Sequence, residues 1–443
     1  VNAVEELKDV LPVTAAVNGA GHLTIGGCDA VELARRFGTP LYVFDEETLR
    51  HMCRAFRQEF AARHPDVRVV YACKAYVGRA LAALLMEEGL GADVVSGGEL
   101  AFLASVGFPP EAIYFHGNNK GEDELAEALA YGVGQVVADN FHELALLSQL
   151  AGSVGRRQRV LLRVSPGVDP HTHVKTTTGV LDSKFGFPIA TGQAEEAVRE
   201  ALASPSLELV GLHFHLGSPI FELEPYREAT AIVLGFAAAM IERHGLELRE
   251  LSVGGGFAAQ YLPQEPPPPL SAYAEAIVGA LREGCRRHGL PLPRLTVEPG
   301  RAIVARAGVA LYTVGAWKDV PGIRRYVAVD GGMADNIRPA LYGARYSALL
   351  ANRPLDERRE RVTVAGKYCE SGDVLLWDAD LPPLQPGDVL AVPAAGAYAP
   401  AMASNYNASL RPAIVFVRDG QARLVRRRET YDDLLRCELW PPE

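Results

Sequence analysis

Lysine is scarce in this chain: Lys8, Lys74, Lys120, Lys175, Lys184, Lys318 and Lys367 are the only ones among 44 basic residues, so an amine nucleophile has few candidates. Lys74 stands out because it ends the apolar run Val69-Val70-Tyr71-Ala72-Cys73. A lysine at the mouth of a site, partly stripped of water, loses its proton more readily and can attack an aldehyde. A salt-bridged or snorkelling lysine would occupy the same position. The tract Ser252-Val253-Gly254-Gly255-Gly256-Phe257 puts three glycines straight after an apolar run. Backbone without side chains can approach a ligand there and present N–H groups to a phosphate, or simply turn. Ser218, in His215-Leu216-Gly217-Ser218, could add a hydroxyl. In Val297-Glu298-Pro299-Gly300-Arg301 a carboxylate precedes an arginine by three residues. The carboxylate could hold a heterocyclic nitrogen protonated and the arginine could bind an anion; a helix cap or a structural ion pair is the plainer alternative. His213 and His215 alternate, so on a strand they share a face, which suits a metal-ligating pair and equally an imidazole stacked on an aromatic cofactor.

These residues need elements to position them. From about residue 41, short β-branched runs alternate with amphipathic stretches, the pattern of parallel strands joined by helices. Eight strands are expected, at Leu41 to Val43, Val67 to Ala72, Asp93 to Val95, Ile113 to Phe115, Val136 to Ala138, Val160 to Val164, Leu209 to His213 and Leu251 to Val253. Helical spacing separates them, most clearly at 46–63, 79–88, 122–131, 143–150, 195–203, 226–244 and 272–288. The fold class is therefore α/β, a closed (β/α)8 barrel over residues 41–305, because no strand leads into the glycine fingerprint of a doubly wound dinucleotide fold. Beyond 305 the strands are punctuated by Gly, Pro and Asp, so residues 306–443, joined by 1–40, are expected to form a separate all-β domain, a sandwich or barrel. About 25 residues after Val164 lack periodicity and carry His171, His173, Thr176, Thr177, Thr178 and Lys184, which suits a lid. The five prolines between Pro263 and Pro269 read as a stiff spacer.

With 54 acidic residues against 44 basic ones, the net charge is −10, and no basic stripe is present to neutralise phosphates, so nucleic acid is not an expected partner. The opening residues lack a signal-peptide pattern and no apolar run is long enough to span a bilayer, so neither is a membrane; a cytoplasmic setting is expected. Cys28, Cys53, Cys73, Cys285, Cys369 and Cys437 are scattered without a Cys-x-x-Cys, which argues against a disulfide framework and a four-cysteine zinc site.

Taken together, Tyr71-Ala72-Cys73-Lys74-Ala75, the stretch Gly91 to Leu100, His213 to Ser218, the triple glycine, Glu298 to Arg301 and Cys369-Glu370-Ser371-Gly372-Asp373 resemble the pyridoxal-phosphate-dependent decarboxylases built on an alanine-racemase-like barrel. The resemblance covers nearly the whole chain. Asn336 to Tyr342 and Gly396-Ala397-Tyr398 resemble the branch that acts on diaminopimelate. The resemblance implies pyridoxal 5'-phosphate as cofactor, no metal, and decarboxylation of meso-2,6-diaminopimelate to L-lysine. It implies Lys74 as the lysine bonded to the cofactor, His215 stacked on the pyridine ring, Glu298 paired with its nitrogen, and Ser218, Gly255, Gly256, Gly300 and Arg301 around its phosphate. Asp93 and Glu99 match supporting positions. Arg301, Arg338, Tyr342, Glu370 and Tyr398 would meet the substrate, with Tyr398 also near the phosphate, and Cys369 would be the proton donor, in a homodimer with shared active sites. Tyr76 and Pro219 depart from the family pattern, where Asn and Gln are usual, which leaves substrate preference open at those positions. An ornithine or arginine decarboxylase of the same fold, and a metal-dependent barrel hydrolase using His213 and His215, are the rival readings.

Overall fold

The computed structural model describes residues 2–442, which divide into two compact units. One takes Met52–Ala258 and Pro267–Gly300; the other takes the residues up to His51, Ala259–Pro266 and the chain from Arg301 onward.

The first unit is a closed barrel. Strands Val67–Ala72, Gly91–Val94, Ile113–Phe115, Gln135–Ala138, Gln158–Ser165, Leu207–His213, Glu250–Ser252 and Arg294–Val297 pair in parallel in chain order, and the last pairs back onto the first, with Leu295 opposite Val67. Val70, Tyr114, Val137, Leu161 and Val210, from five different strands, cluster out of contact with water. Every second residue of a strand points to the same face, so such a layer forms wherever apolar residues recur at that period. The helices start on caps the sequence provides: the Ser96 hydroxyl accepts the Glu99 N–H at 3.1 Å, and the Asn140 amide oxygen accepts the Glu143 N–H at 2.9 Å. They end on left-handed glycines, among them Gly245 and Gly289.

One barrel strand differs from expectation. Leu41–Asp45 lies in the second unit, antiparallel to Gly308–Val320 and parallel to Ala413–Arg418, and Arg294–Val297 takes the eighth place in the barrel. All five residues of Leu41–Asp45 are buried. A strand covered on both faces has the same apolar pattern in a mixed sheet as in a barrel, and the helix Glu46–Ala61 behind it imitates a βα unit. The limits of 41 and 305 accordingly move to 52 and 300, with Ala259–Pro266 transferred to the second unit.

The second unit is built on a mixed sheet in the order Val374–Leu381, Glu360–Ala365, Arg324–Val329, Gly308–Val320, Leu41–Asp45, Ala413–Arg418, Gln421–Arg426. Its core joins Leu23 and Ile25, from a small antiparallel sheet near the start of the chain, to Val43, Leu311 and Val415. Buried Glu46 lies between Arg50, Arg418 and Arg423, which compensate its charge.

Candidate active site

Lys74 emerges on a single 3-10 turn directly after Val67–Ala72 and is exposed at the barrel rim. Asp93, on the next strand, is buried; burial, and then the charge of Glu298, hold its carboxyl well above the usual range against the opposing pull of the Lys74 ammonium. Glu99 accepts the Val95 N–H at 2.7 Å, and burial raises its pKa.

Glu298, just past Arg294–Val297, is a buried carboxylate held from several sides. His213 donates Nε2–H to it at 3.0 Å and the Ser252 hydroxyl donates at 3.2 Å. Nε2 of His116 also lies 3.0 Å from its other side, too poorly aligned for a hydrogen bond, so that contact is electrostatic. Burial would push Glu298 up, but the two imidazoles outweigh burial and hold it well below the usual carboxylate range. Burial takes His213 down to about 4; the ring is neutral, spends its N–H on Glu298 and keeps a bare Nδ1. His215 is likewise held well below its ordinary value by burial and then by Lys74, and its Nδ1 accepts the Gly255 N–H at 3.2 Å.

The glycine run is a close approach of backbones. A Cβ on Gly255 would stand 2.3 Å from the Glu298 carbonyl oxygen, and one on Gly256, whose φ is +98°, would stand 2.6 Å from the Gly217 carbonyl oxygen. The loop holding Gly217 and Ser218 is tied there by the Ile220 N–H to the Gly256 carbonyl at 2.8 Å. At Gly300 a Cβ would crowd Ala72, just ahead of the turn that presents Lys74. The expected lid folds onto the same loop, with the N–H groups of Thr178 and Gly179 both on the Leu216 carbonyl.

The metal-ligand pairing that the rival hydrolase reading needs of His213 and His215 does not form. The regular strand ends at His213, so the period of two that would align the two rings no longer applies, and each ring serves a different neighbour. Among the described residues the one group able to converge on an ion is His116, His213 and Glu298, with donor atoms within 4.8 Å of one another, and there the His213 N–H already serves the carboxylate.

In the second unit, Arg301 opens the short helix Arg301–Val304, donates to the Tyr261 hydroxyl at 2.9 Å and lies 4.8 Å above the Tyr398 ring. Arg338 opens Arg338–Tyr342, donates to the Tyr346 hydroxyl at 2.6 Å and lies 4.7 Å above the Tyr261 ring. Burial would raise the Tyr261 phenol, but the two guanidiniums outweigh it and hold the phenol below its usual value. Arg338 is 7% exposed, and no carboxylate among the described residues pairs with it. A buried cation without an anion is costly, so the pocket invites an anionic group from outside the chain. Tyr398 sits at φ 58°, an uncommon setting for a bulky side chain and one that aims its ring under Arg301. Tyr342 ends the Arg338 helix and is half-buried. Cys369 and Glu370 stand apart on an exposed loop, and their side chains form no hydrogen bond or ion pair among the described residues.

The structure thus gathers Lys74, Asp93, His215, Gly255, Gly256 and Glu298 in one unit and Arg301, Arg338 and Tyr398 in the other. Sequence reasoning overlooked His116, Tyr261 and Tyr346. His116 ends the run Ile113-Tyr114-Phe115 and was open to the argument that singled out Lys74. Tyr261 and Tyr346 lie in irregular segments and carry no such signal.

Residues 46–305 match the family model for the pyridoxal-binding domain of pyridoxal-dependent decarboxylases. Over 421 residues the chain is 51% identical to the diaminopimelate decarboxylase of Actinosynnema pretiosum, covering 95% of this chain and 93% of that one. The enzyme of the same name from Bacillus subtilis is 47% identical over 426 residues, 96% of this chain and 97% of its own. A crystal structure of diaminopimelate decarboxylase from M. jannaschii in complex with L-lysine superimposes with a TM-score of 0.90 at 35% identity, covering 97% of this chain and 98% of that one. Together with a closed barrel that presents a lysine, an ionised buried carboxylate and a side-chain-free cradle, these likenesses identify the chain as a member of the diaminopimelate decarboxylase branch of the pyridoxal-dependent decarboxylases.

Proposed function

We propose that the protein decarboxylates meso-2,6-diaminopimelate to L-lysine and carbon dioxide, using pyridoxal 5'-phosphate. The barrel residues fit that cofactor. Lys74 offers an amine for its aldehyde, Glu298 is a buried carboxylate held ionised and suited to a pyridinium nitrogen, and Gly255 and Gly256 form a cradle that any Cβ would fill. When bound, the cofactor supplies the electron sink that accepts the pair left behind by carbon dioxide.

The chain's own groups divide the remaining work. Glu298, kept anionic by His213 and His116, favours a protonated ring nitrogen. His215, neutral and fixed by Gly255, offers a flat face for stacking. Ser218, Arg301 and the backbone at Gly256 serve the phosphate, with Gly255 leaving room for it. Arg301, Arg338, Tyr342, Glu370 and Tyr398 serve the substrate: guanidiniums for the distal carboxylate, Glu370 for the distal ammonium. Cys369 returns a proton to the carbon that lost carbon dioxide.

The observation that carries the choice of substrate is buried Arg338 without a carboxylate partner. Ornithine and arginine lack a second carboxylate and would leave it uncompensated. We further propose a homodimer in which Cys369 and Glu370 complete the partner's site, which accords with their side chains having no polar partner among the described residues. That none of the six cysteines is in a disulfide suits a reducing cytosol.

Incubation with pyridoxal phosphate and meso-diaminopimelate should yield lysine, and borohydride reduction of the cofactor-loaded protein should tag the peptide that holds Lys74. Cadaverine or putrescine as the preferred product, from lysine or ornithine, would refute the substrate, and a tag on Lys120 or Lys184 would refute the lysine.

A further inference from the structure

The loop from Gly366 to Asp373 carries Cys369 and Glu370, and its shape is held from two sides. On the buried side its ends meet, the Gly366 N–H donating to the Asp373 carbonyl at 2.9 Å. The Asp373 carboxylate accepts the N–H groups of Tyr368 at 2.8 Å and Met333 at 2.7 Å. It is wedged between two glycines: a Cβ on Gly332 would stand 2.4 Å from one oxygen, and a Cβ on Gly366 2.1 Å from the other. On the exposed side a side chain holds the backbone at Cys369. The amide oxygen of Asn407 accepts the backbone N–H of Cys369 at 2.8 Å, from 38 residues away in the chain.

Asn407 has φ 52° and ψ 28°, in the left-handed region that asparagine enters at less cost than any residue but glycine. Its neighbour Ala408 is left-handed as well, at φ 56°. An exposed asparagine in that conformation, with its amide oxygen committed to one backbone N–H, does nothing for a hydrophobic core. What it does is hold the backbone at Cys369.

We infer that Asn407 is a positioning residue for Cys369, acting through the cysteine's backbone N–H while Asp373 anchors the other side of the loop. The inference rests on reading Cys369 as the proton donor. In that step the thiol's S–H bond breaks, its proton forms the new C–H bond where carbon dioxide left, and the thiolate regains a proton from water. Proton transfer requires the donor within hydrogen-bond reach of its target, so a loop free to drift by an ångström loses turnover, and because Glu370 rides on the same loop any loss of substrate affinity comes from that neighbour.

Three variants of the full-length, cofactor-loaded enzyme test this. Asn407→Gly removes the acceptor while easing the left-handed backbone; it should lower kcat by about tenfold or more with the melting temperature unchanged, whatever change in KM follows from Glu370 on the same loop. Asn407→Asp keeps an acceptor oxygen and should recover most of the turnover. In a Cys369→Ala background, Asn407→Gly should cost nothing more in kcat, because the proton donor it positions is gone. A full kcat in Asn407→Gly alongside an impaired Cys369→Ala would overturn the positioning role alone. So would an equal loss from Asn407→Gly in both backgrounds, which would mean that Asn407 acts elsewhere. A Cys369→Ala enzyme at full rate would instead overturn the reading of Cys369 as donor, and this inference with it.

Discussion

Two side chains make the sharpest residue-scale tests. Arg338 is buried among Tyr261 and Tyr346 and lacks an anion, so its proposed partner is the substrate carboxylate remote from the reacting carbon. Arg338→Ala should weaken kcat/KM for diaminopimelate by about 2–4 kcal/mol while cofactor absorbance is retained. Undiminished kcat/KM would remove Arg338 from the substrate's recognition. Asp335 tests electrostatics. Burial raises its carboxyl to about 7, against the Tyr312 hydroxyl at 2.5 Å and the Gly332 N–H at 2.8 Å, which pull it down, and with Asp373 and Asp330 adding to the rise. A folded pKa above the unfolded value means that the folded state takes up the proton more readily. This contribution is therefore complete below about pH 4 and is lost as pH rises toward 7, by about 1.4 kcal/mol per pH unit. The difference in unfolding free energy between wild type and Asp335→Asn should follow that slope between pH 5 and 7. A flat difference would mean that Asp335 titrates normally.

At the scale of elements, the turn after Glu250–Ser252 is the most demanding piece of backbone. Gly255 has ordinary freedom in φ, yet a Cβ there would stand 2.3 Å from the backbone carbonyl oxygen of Glu298, which cannot give way as a flexible side chain could. Gly255→Ala must push two strand ends apart and disturb the His215 acceptor of the Gly255 N–H. It should cost about 2 kcal/mol or more of stability and raise the dissociation constant for pyridoxal phosphate, read by thermal unfolding without cofactor and by absorbance titration with it. A variant with wild-type melting and wild-type cofactor affinity would show that the strand ends move apart freely.

For the molecule as a whole, Lys74 belongs to the barrel unit and Cys369 to the other, and the proposed dimer would draw one from each subunit. Mixing inactive Lys74→Ala with strongly impaired Cys369→Ala under conditions of subunit exchange should then restore activity. Each hybrid dimer holds one site with both defects and one with neither, and random exchange makes half of all dimers hybrid, so recovery should approach about a quarter of wild type. Exchange demonstrated by mass without recovery would place Cys369 in the service of its own chain, or of none.

The amino-acid sequence alone disclosed what is local: the periods that make strands and helices, a lysine at a strand end, the glycine run, and Glu298 three residues before Arg301. Each rests on neighbours within a few residues, and the resemblance of several ordered motifs carried the rest of the site. Partnership across the chain was decided only by the tertiary structure. An apolar strand reports that it is buried, not beside what, so Leu41–Asp45 read as a barrel strand until its pairing with Gly308–Val320 placed it in the other unit. His213 and His215 look like a chelating pair until the strand ends between them. Tyr261 beneath Arg338, His116 beside Glu298 and Asn407 on the Cys369 amide join residues 38 to 182 positions apart, and no periodicity links such positions, because they are brought together by sheet order and loop closure.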